Sequence, residues 1–406
     1  MVTPVVQQYR LISLSLQNDG DGYIVGNAES GDFYKVPEIG VSILRMLDSG
    51  DSVAEIISQL ASGAEAVDVE AFVSQMAQIG FIHPEGHKPA APQRSDASAG
   101  RTFSVDRRLA RAIFSPLALA CFLALVAYAF VDAVRNPDLR LNANALYIEQ
   151  DRTLLLVLVL ALASVQTVLH ELGHMLAAAR HGIKSRYGIG NRLWTIVAES
   201  DLTGILALPR SQRYFPMLAG MLVDVLSLAL LTLLQDALRR HGAGAFSIQV
   251  VQVMALETVI ALAWQFNVFV KTDIYFVLCN YFGHPDLDRD ARAYLNGIVH
   301  RMTFGRLGRA PSAKAECNLL VLRAFSLVWA AGRVMSLVIL FTVFLPTMWQ
   351  YLASAVQLLN GSPASVWAAC DTIIYVSIIL TMLATGMYMW LRHRPGPPTA
   401  KEGVGR

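Results

Sequence analysis

The chain has 406 residues, of which 54% are hydrophobic and 16% charged, with a formal net charge of +2. Ordinary soluble domains carry roughly 25% charged residues, so this composition excludes a disordered chain and argues against a plain soluble enzyme. Residues 1–83 hold 3 Lys/Arg and 11 Asp/Glu, a net of −8, while residues 84–406 carry a net of +10, so an acidic head precedes a basic, very apolar body.

The head, 1–83, reads as strands followed by helices. Loose alternation over residues 9–16 and 23–26 is interrupted at Asn18-Asp19-Gly20-Asp21-Gly22, a turn signal. Ser30-Gly31-Asp32 punctuates the chain again before a strand over 33–36. Pro37 opens a helix carrying Ile39, Ile43, Met46 and Leu47. Ser52 and Glu55 form a capping box for a second helix with Val53, Ile56, Ile57 and Leu60 on one face. Asp68 caps a third, with Phe72, Val73, Met76 and Ile79 inward, and Phe81-Ile82 closes a small α+β, winged-helix-like unit. Residues 84–104, rich in Pro, Ala, Ser and Gly, read as a flexible linker. The N-terminus lacks the basic and apolar regions of a cleavable signal peptide. Cys121, Cys279, Cys317 and Cys370 form no CxxC pair and are expected to be small buried hydrophobes.

The body, 105–391, is expected to be mainly α, a polytopic membrane domain. Six apolar stretches are long enough to span roughly 30 Å of hydrocarbon: 112–134, 153–179, 214–234, 248–270 running on towards 282, 324–346 and 366–391. The segments 101–111, 180–213, 284–323 and 392–406 carry 21 Lys/Arg in total, against 5 in the opposite loops. The positive-inside rule places both termini, the head and the 392–406 tail in the cytoplasm. The less apolar stretch 182–213 is expected to form short strands or a hairpin at the membrane surface on that side.

Within the second span lies His170-Glu171-Leu172-Gly173-His174. Residues four apart share a helix face, so both imidazoles can bind one Zn2+, with Glu171 placed to take a proton from water that the metal activates. With 9 His and 12 Glu in the chain, such a motif arises by chance about 0.006 times. Ionisable groups inside an apolar span are costly and mark a functional site by default. A catalytic zinc needs a third protein ligand. His181 follows the end of the helix, and Glu257 lies about 24 Å from Asp273 along a helix, towards the opposite face. Asp224 could reach the centre. Asp273 is the better choice, because its depth before the exit of the fourth span agrees with that of His170 and His174.

These residues resemble the site-2 protease family of intramembrane zinc metalloproteases. Asn267-Val-Phe-Val-Lys-Thr-Asp273 is similar to the family's Asn-Pro-x4-Asp-Gly element, with Val268 for Pro and Ile274 for Gly. The resemblance implies ligation of Zn2+ by His170, His174 and Asp273. Ala219-Gly220-Met221-Leu-Val-Asp224 is similar to Ala-Gly-Pro-x-x-Asn. Asp224 is expected either to hydrogen-bond substrate or water, or only to pair with a neighbouring helix. Asn267, Lys271 and Gly220 are further candidates for substrate binding or support of the ligands. The stretch from Gln265 through Asp273, with Asp286-Leu-Asp-Arg289-Asp-Ala291, looks like a branch of peptide zinc metalloproteases found beside natural-product peptide operons.

Tyr34-Lys-Val-Pro37, the helix through Leu47, 51–60 and Ala77–Ile82 resemble a PqqD-like RiPP recognition element, which binds the leader of a ribosomally made precursor peptide by strand addition. Together the resemblances imply a multi-pass metalloendopeptidase of the bacterial inner membrane, embedded in the lipid bilayer, acting on a precursor peptide or membrane protein and not on nucleic acid. Two other functions fit the same residues. One is a regulatory protease cutting a membrane-bound anti-sigma or signalling protein; the other is a non-proteolytic immunity or export protein.

Overall fold

A computed structural model of the chain describes residues 9–20, 22–27, 32–60, 67–85, 101–103, 105–146, 151–192, 195–284, 286–304, 319–360 and 366–392. The head is small and strand-rich. Strand β1 (Tyr9–Leu11) pairs antiparallel with β5 (Ile82–Pro84), in the register Leu11 to Ile82. Strands β2 (Ser15–Asn18), β3 (Tyr23–Asn27) and β4 (Asp32–Val36) form an antiparallel meander, with Asn18 opposite Tyr23 and Tyr23 opposite Val36. The β2–β3 turn is closed by Asp19 N–H donating to Gly22 O at 2.8 Å and by Gly20 N–H donating to Asn18 Oδ1 at 3.1 Å. Helix α1 (Glu38–Ser49) follows Pro37 and stops at Gly50, whose φ of +97° favours a residue without a Cβ.

Helix α2 (Val53–Leu60) starts on the capping box. Ser52 N–H donates to Glu55 Oε2 at 2.8 Å, and Glu55 N–H donates back to Ser52 Oγ at 3.3 Å. The Ser52 backbone and hydroxyl bonds hold the Glu55 carboxyl below its ordinary range. Helix α3 (Val69–Gln78) is capped by Asp68, which accepts from Ala71 N–H at 2.9 Å. The head core gathers Val25, Val36, Ile43, Leu44, Leu47, Ile56, Val73, Met76, Phe81 and Ile82. Ile57, expected on the inner face of α2, is instead exposed, while Ile56 is buried and Val53 and Leu60 pack against the core.

Residues 84–104 are not linker throughout. Pro84 belongs to β5, and β6 (Arg101–Phe103) pairs with a later strand, with Arg101 opposite Tyr187; residues 86–100 lie outside the described residues. Strands β7 (Ser185–Arg192) and β8 (Thr195–Asp201) form the expected hairpin, so the sheet order is β6-β7-β8 with β8 at its edge.

The body is helical. Among the described residues, five stretches are long and apolar enough to cross a membrane. They are Arg107–Arg135, containing α4 (Arg107–Ile113) and α5 (Pro116–Arg135); α6 (Arg152–Ala179); α7 (Arg210–Arg240); α8 (Ala245–Trp264); and Leu319–Ala353. The last contains α11 (Leu319–Ile339), a π turn over Leu340–Phe344, and part of α12 (Leu345–Asn360). Their outer faces expose Leu117, Leu123, Phe130, Leu327, Phe341 and Trp349, side chains that hydrocarbon rather than water accommodates. The sixth expected span is helical as α13 (Val366–Arg392), and its described residues Val366–Met382 are apolar.

The fourth expected span, 248–282, is not continuous. Helix α8 ends at Trp264; an irregular stretch containing a single 3-10 turn, Val268–Val270, follows; and α9 (Asp273–Phe282) restarts after Lys271, whose φ is +57°. Gln265 shapes this break: its backbone O accepts from Thr272 Oγ at 2.5 Å and its Oε1 from Asp273 N–H at 3.1 Å. Helix α10 (Leu287–Met302) then packs with α9 and α11 around Tyr275, Leu287 and Phe325. At the other end of the bundle Asp371 of α13 caps α6, accepting from Arg152 N–H and Thr153 N–H at 3.0 Å each.

The head sits against the end of the bundle where α6 finishes and α7 begins. Asp19 pairs with Arg213 of α7 at 2.9 Å, and Lys35 Nζ donates to Gly283 O at 3.2 Å.

Candidate functional site

His170 and His174 lie on one face of α6, and α9 brings Asp273 to them across the break. His170 Nε2 is 3.1 Å from Asp273 Oδ2, His174 Nε2 is 3.2 Å from the same oxygen, and the two Nε2 atoms are 3.1 Å apart. Bonds of about 2.0–2.1 Å to a tetrahedral Zn2+ put its ligand atoms roughly 3.3 Å apart, so this donor set has the spacing the ion requires. Asp273 is the first residue of α9, where the helix dipole favours a carboxylate.

Each imidazole is oriented from behind. His170 Nδ1 donates to Asp224 Oδ2 at 2.7 Å, and Asp224 Oδ1 accepts from Gln166 Nε2 at 2.9 Å. His174 Nδ1 donates to the Pro216 carbonyl at 2.7 Å. Both bonds fix the tautomer that leaves Nε2 as the lone-pair donor, the arrangement that supports a metal-ligating histidine. Asp224 is therefore placed against His170 rather than on an open surface.

Gly220 makes room for the rings. A Cβ there would lie 2.6 Å from His170 Nε2, closer than any real Cβ contact. One turn away, a Cβ on Gly173 would lie 2.9 Å from Ala219 O, so glycines let α6 and α7 approach closely where the ligands sit. Gly220→Ala is expected to displace both imidazoles and to weaken zinc binding at least about tenfold, the scale seen when ligand orientation is disturbed. Chelator competition on the folded variant checks it.

Glu171 sits beside the cluster and faces β8. Its Oε2 accepts from Ser200 N–H at 2.8 Å and from Ser200 Oγ at 2.6 Å. Because the Ser200 N–H points to α6, the outer edge of β8 runs past Glu171. Both bonds fall on Oε2.

Two other expected site residues make contacts to neighbouring helices. Asn267 is fully buried, with its Oδ1 accepting from Ser336 Oγ of α11 at 2.7 Å, so it ties the break to α11. Lys271 is exposed and turns towards α10, 3.8 Å from Asp286 Oδ1. Three groups were not anticipated from the sequence: Gln166, Ser200 and the Pro216 carbonyl. Gln166 carries a usable signal, being an intramembrane polar residue four before His170; the others carry none.

The head has a relative. Residues 22–82 match the family described as Coenzyme PQQ synthesis protein D (PqqD). The head is thus a PqqD-like domain. The match runs from the end of the β2–β3 turn to the first residue of β5 and leaves out the membrane body. No curated protein and no solved structure matches the chain.

Proposed function

We propose that the chain is an intramembrane zinc metalloprotease that hydrolyses a peptide bond in a ribosomally made precursor peptide, the PqqD-like head holding the leader. The observation that carries the reading is the convergence of His170, His174 and Asp273 beside Glu171, three donors on one point with both imidazoles braced from behind. The PqqD-like head is what favours a precursor peptide as the substrate. In this reading the protein lies in the bacterial inner membrane, with α13 as a sixth crossing and both termini, the winged-helix-like head and the β6-β7-β8 sheet on the cytoplasmic side.

Zn2+ on this donor set would supply Lewis-acid chemistry, lowering the pKa of a water and polarising a carbonyl. The residues do the rest. Glu171 Oε1 takes the proton of the attacking water and later returns it to the leaving amine. A substrate segment must give up helical hydrogen bonds to expose its carbonyl, and backbone at membrane depth needs replacement partners. Strand β8, at the edge of its sheet among the described residues and anchored to Glu171 at Ser200, could offer them along the rest of its edge as an added strand.

Zinc content of the purified full-length protein, together with mass spectrometry of a tagged precursor peptide encoded beside the gene and co-expressed with it, tests the proposal. One zinc per chain, retention of the peptide by the protein and a single cleavage are expected. A zinc-free protein, or a peptide left intact, would overturn it.

A further inference from the structure

Arg213 stands where the supports of the metal centre meet. It lies in α7, its side chain is 2% exposed, and its guanidinium is shared among four partners. Nη1 reaches Asp19 Oδ1 of the head at 2.9 Å and Asn280 Oδ1 of α9 at 3.5 Å. Nε donates to Leu208 O at 2.9 Å, and Nη2 to Leu206 O at 3.2 Å. Leu206 belongs to the 3-10 turn Thr203–Ala207 that leads out of β8.

Each of these partners except the head sits on or beside an element that carries part of the site. Helix α9 begins at Asp273, and β8 holds Glu171 through Ser200. On α7 itself Pro216, Gly220 and Asp224 follow Arg213 at intervals of three, four and four residues, one helix face. Arg210 reinforces the junction, donating to Asn280 O at 2.5 Å and to Tyr281 O.

A buried guanidinium stripped of its carboxylate is strongly unfavourable. The carboxylate here comes from the head, 194 residues earlier in the chain, on a β2–β3 turn held by its own backbone bonds. The head is thus docked against the body and not merely tethered to it.

We propose that Asp19 and Arg213 are a positioning pair for the metal centre. By docking the head, Asp19 keeps Arg213 in the junction that sets α7, α9 and the exit of β8 relative to one another. Metal affinity therefore depends on head docking. The inference rests on the metal reading of His170, His174 and Asp273.

The test uses full-length protein with Co2+ as the probe, read by its visible absorption band and by titration. Wild-type protein is expected to bind one Co2+ with the intense band of a tetrahedral site. Asp19→Asn is expected to weaken binding about tenfold, within the range for groups that orient ligands. A double variant, Asp19→Leu with Arg213→Met, separates positioning from stability. Replacing a buried ion pair by apolar residues commonly preserves stability, so this variant should unfold near the wild-type temperature. It should nevertheless bind Co2+ about fivefold or more weakly, because the ties to Leu206, Leu208 and Asn280 are gone. Wild-type affinity in the folded double variant, or in Asp19→Asn, would overturn the proposal while leaving the metal reading intact. Absence of Co2+ binding in the wild type would overturn both.

Discussion

Glu171→Gln is expected to lower the cleavage rate by roughly 10²–10⁴-fold, the contribution of a positioned general base, with zinc content unchanged. Gln keeps the shape of Glu and can still accept from the Ser200 N–H and Oγ at the oxygen that now sits 2.8 and 2.6 Å from them. It cannot take a proton from water. The proposed ligands His170 and His174 keep their braces at Asp224 and Pro216, so their arrangement is not disturbed. Cleavage of the co-expressed precursor peptide, followed by mass spectrometry and set against zinc per chain, reads both quantities in one preparation. Undiminished cleavage would remove Glu171 from the chemistry, whereas loss of zinc would mean that the variant reports on the site's assembly.

Asp224→Ala is expected to weaken zinc binding by about 10–100-fold, the usual cost of losing the partner that orients a ligating histidine. The substitution removes the acceptor 2.7 Å from His170 Nδ1 and leaves Gln166 Nε2 without its own acceptor. Both donors then lose the acceptor that satisfied them. The ring of His170 is then free to rotate, and the Nδ1–H tautomer that presents Nε2 is no longer favoured. Asp224→Asn should fall in between, because its amide oxygen still accepts from Nδ1–H while the charge is lost. Competition against a chromophoric chelator ranks the three proteins. Equal affinities would mean that the His170–Asp224 contact is not used to hold the metal.

The reach of the sequence differs from element to element. The strand–helix order of the head was legible because turn residues and caps act locally: Asn18–Gly22 marks the hairpin, and Ser52 with Glu55 starts a helix through bonds that span three residues. His170 and His174 share a face because a helix returns every 3.6 residues. The depth of Asp273 in an apolar stretch was enough to pair it with them, and the structure gathers the three.

The break in the stretch from 248 to 282 was hidden, since the stretch stays predominantly apolar on both sides of it and neither Gly nor Pro marks the interruption. Its cause is the Gln265 side chain capping Asp273 and the Lys271 backbone at positive φ. Ser200 and Arg213 were unreadable for another reason. Ser200 meets Glu171 across 29 residues and a hairpin, and Arg213 meets Asp19 across 194 residues and two domains.

From the sequence alone come the membrane character of the body, the acidic head ahead of it, and a histidine pair with a distal carboxylate at matching depth. All of these follow from composition, from helical periodicity or from the cost of charge in hydrocarbon, which act on each residue or each helix separately. Only the tertiary structure decided which groups stand behind the ligands, where Glu171 is anchored, and that the head is docked through a buried ion pair. Those are contacts between elements. They depend on how close helices come at Gly173 and Gly220 and on where a sheet edge lands against α6, which no single segment encodes.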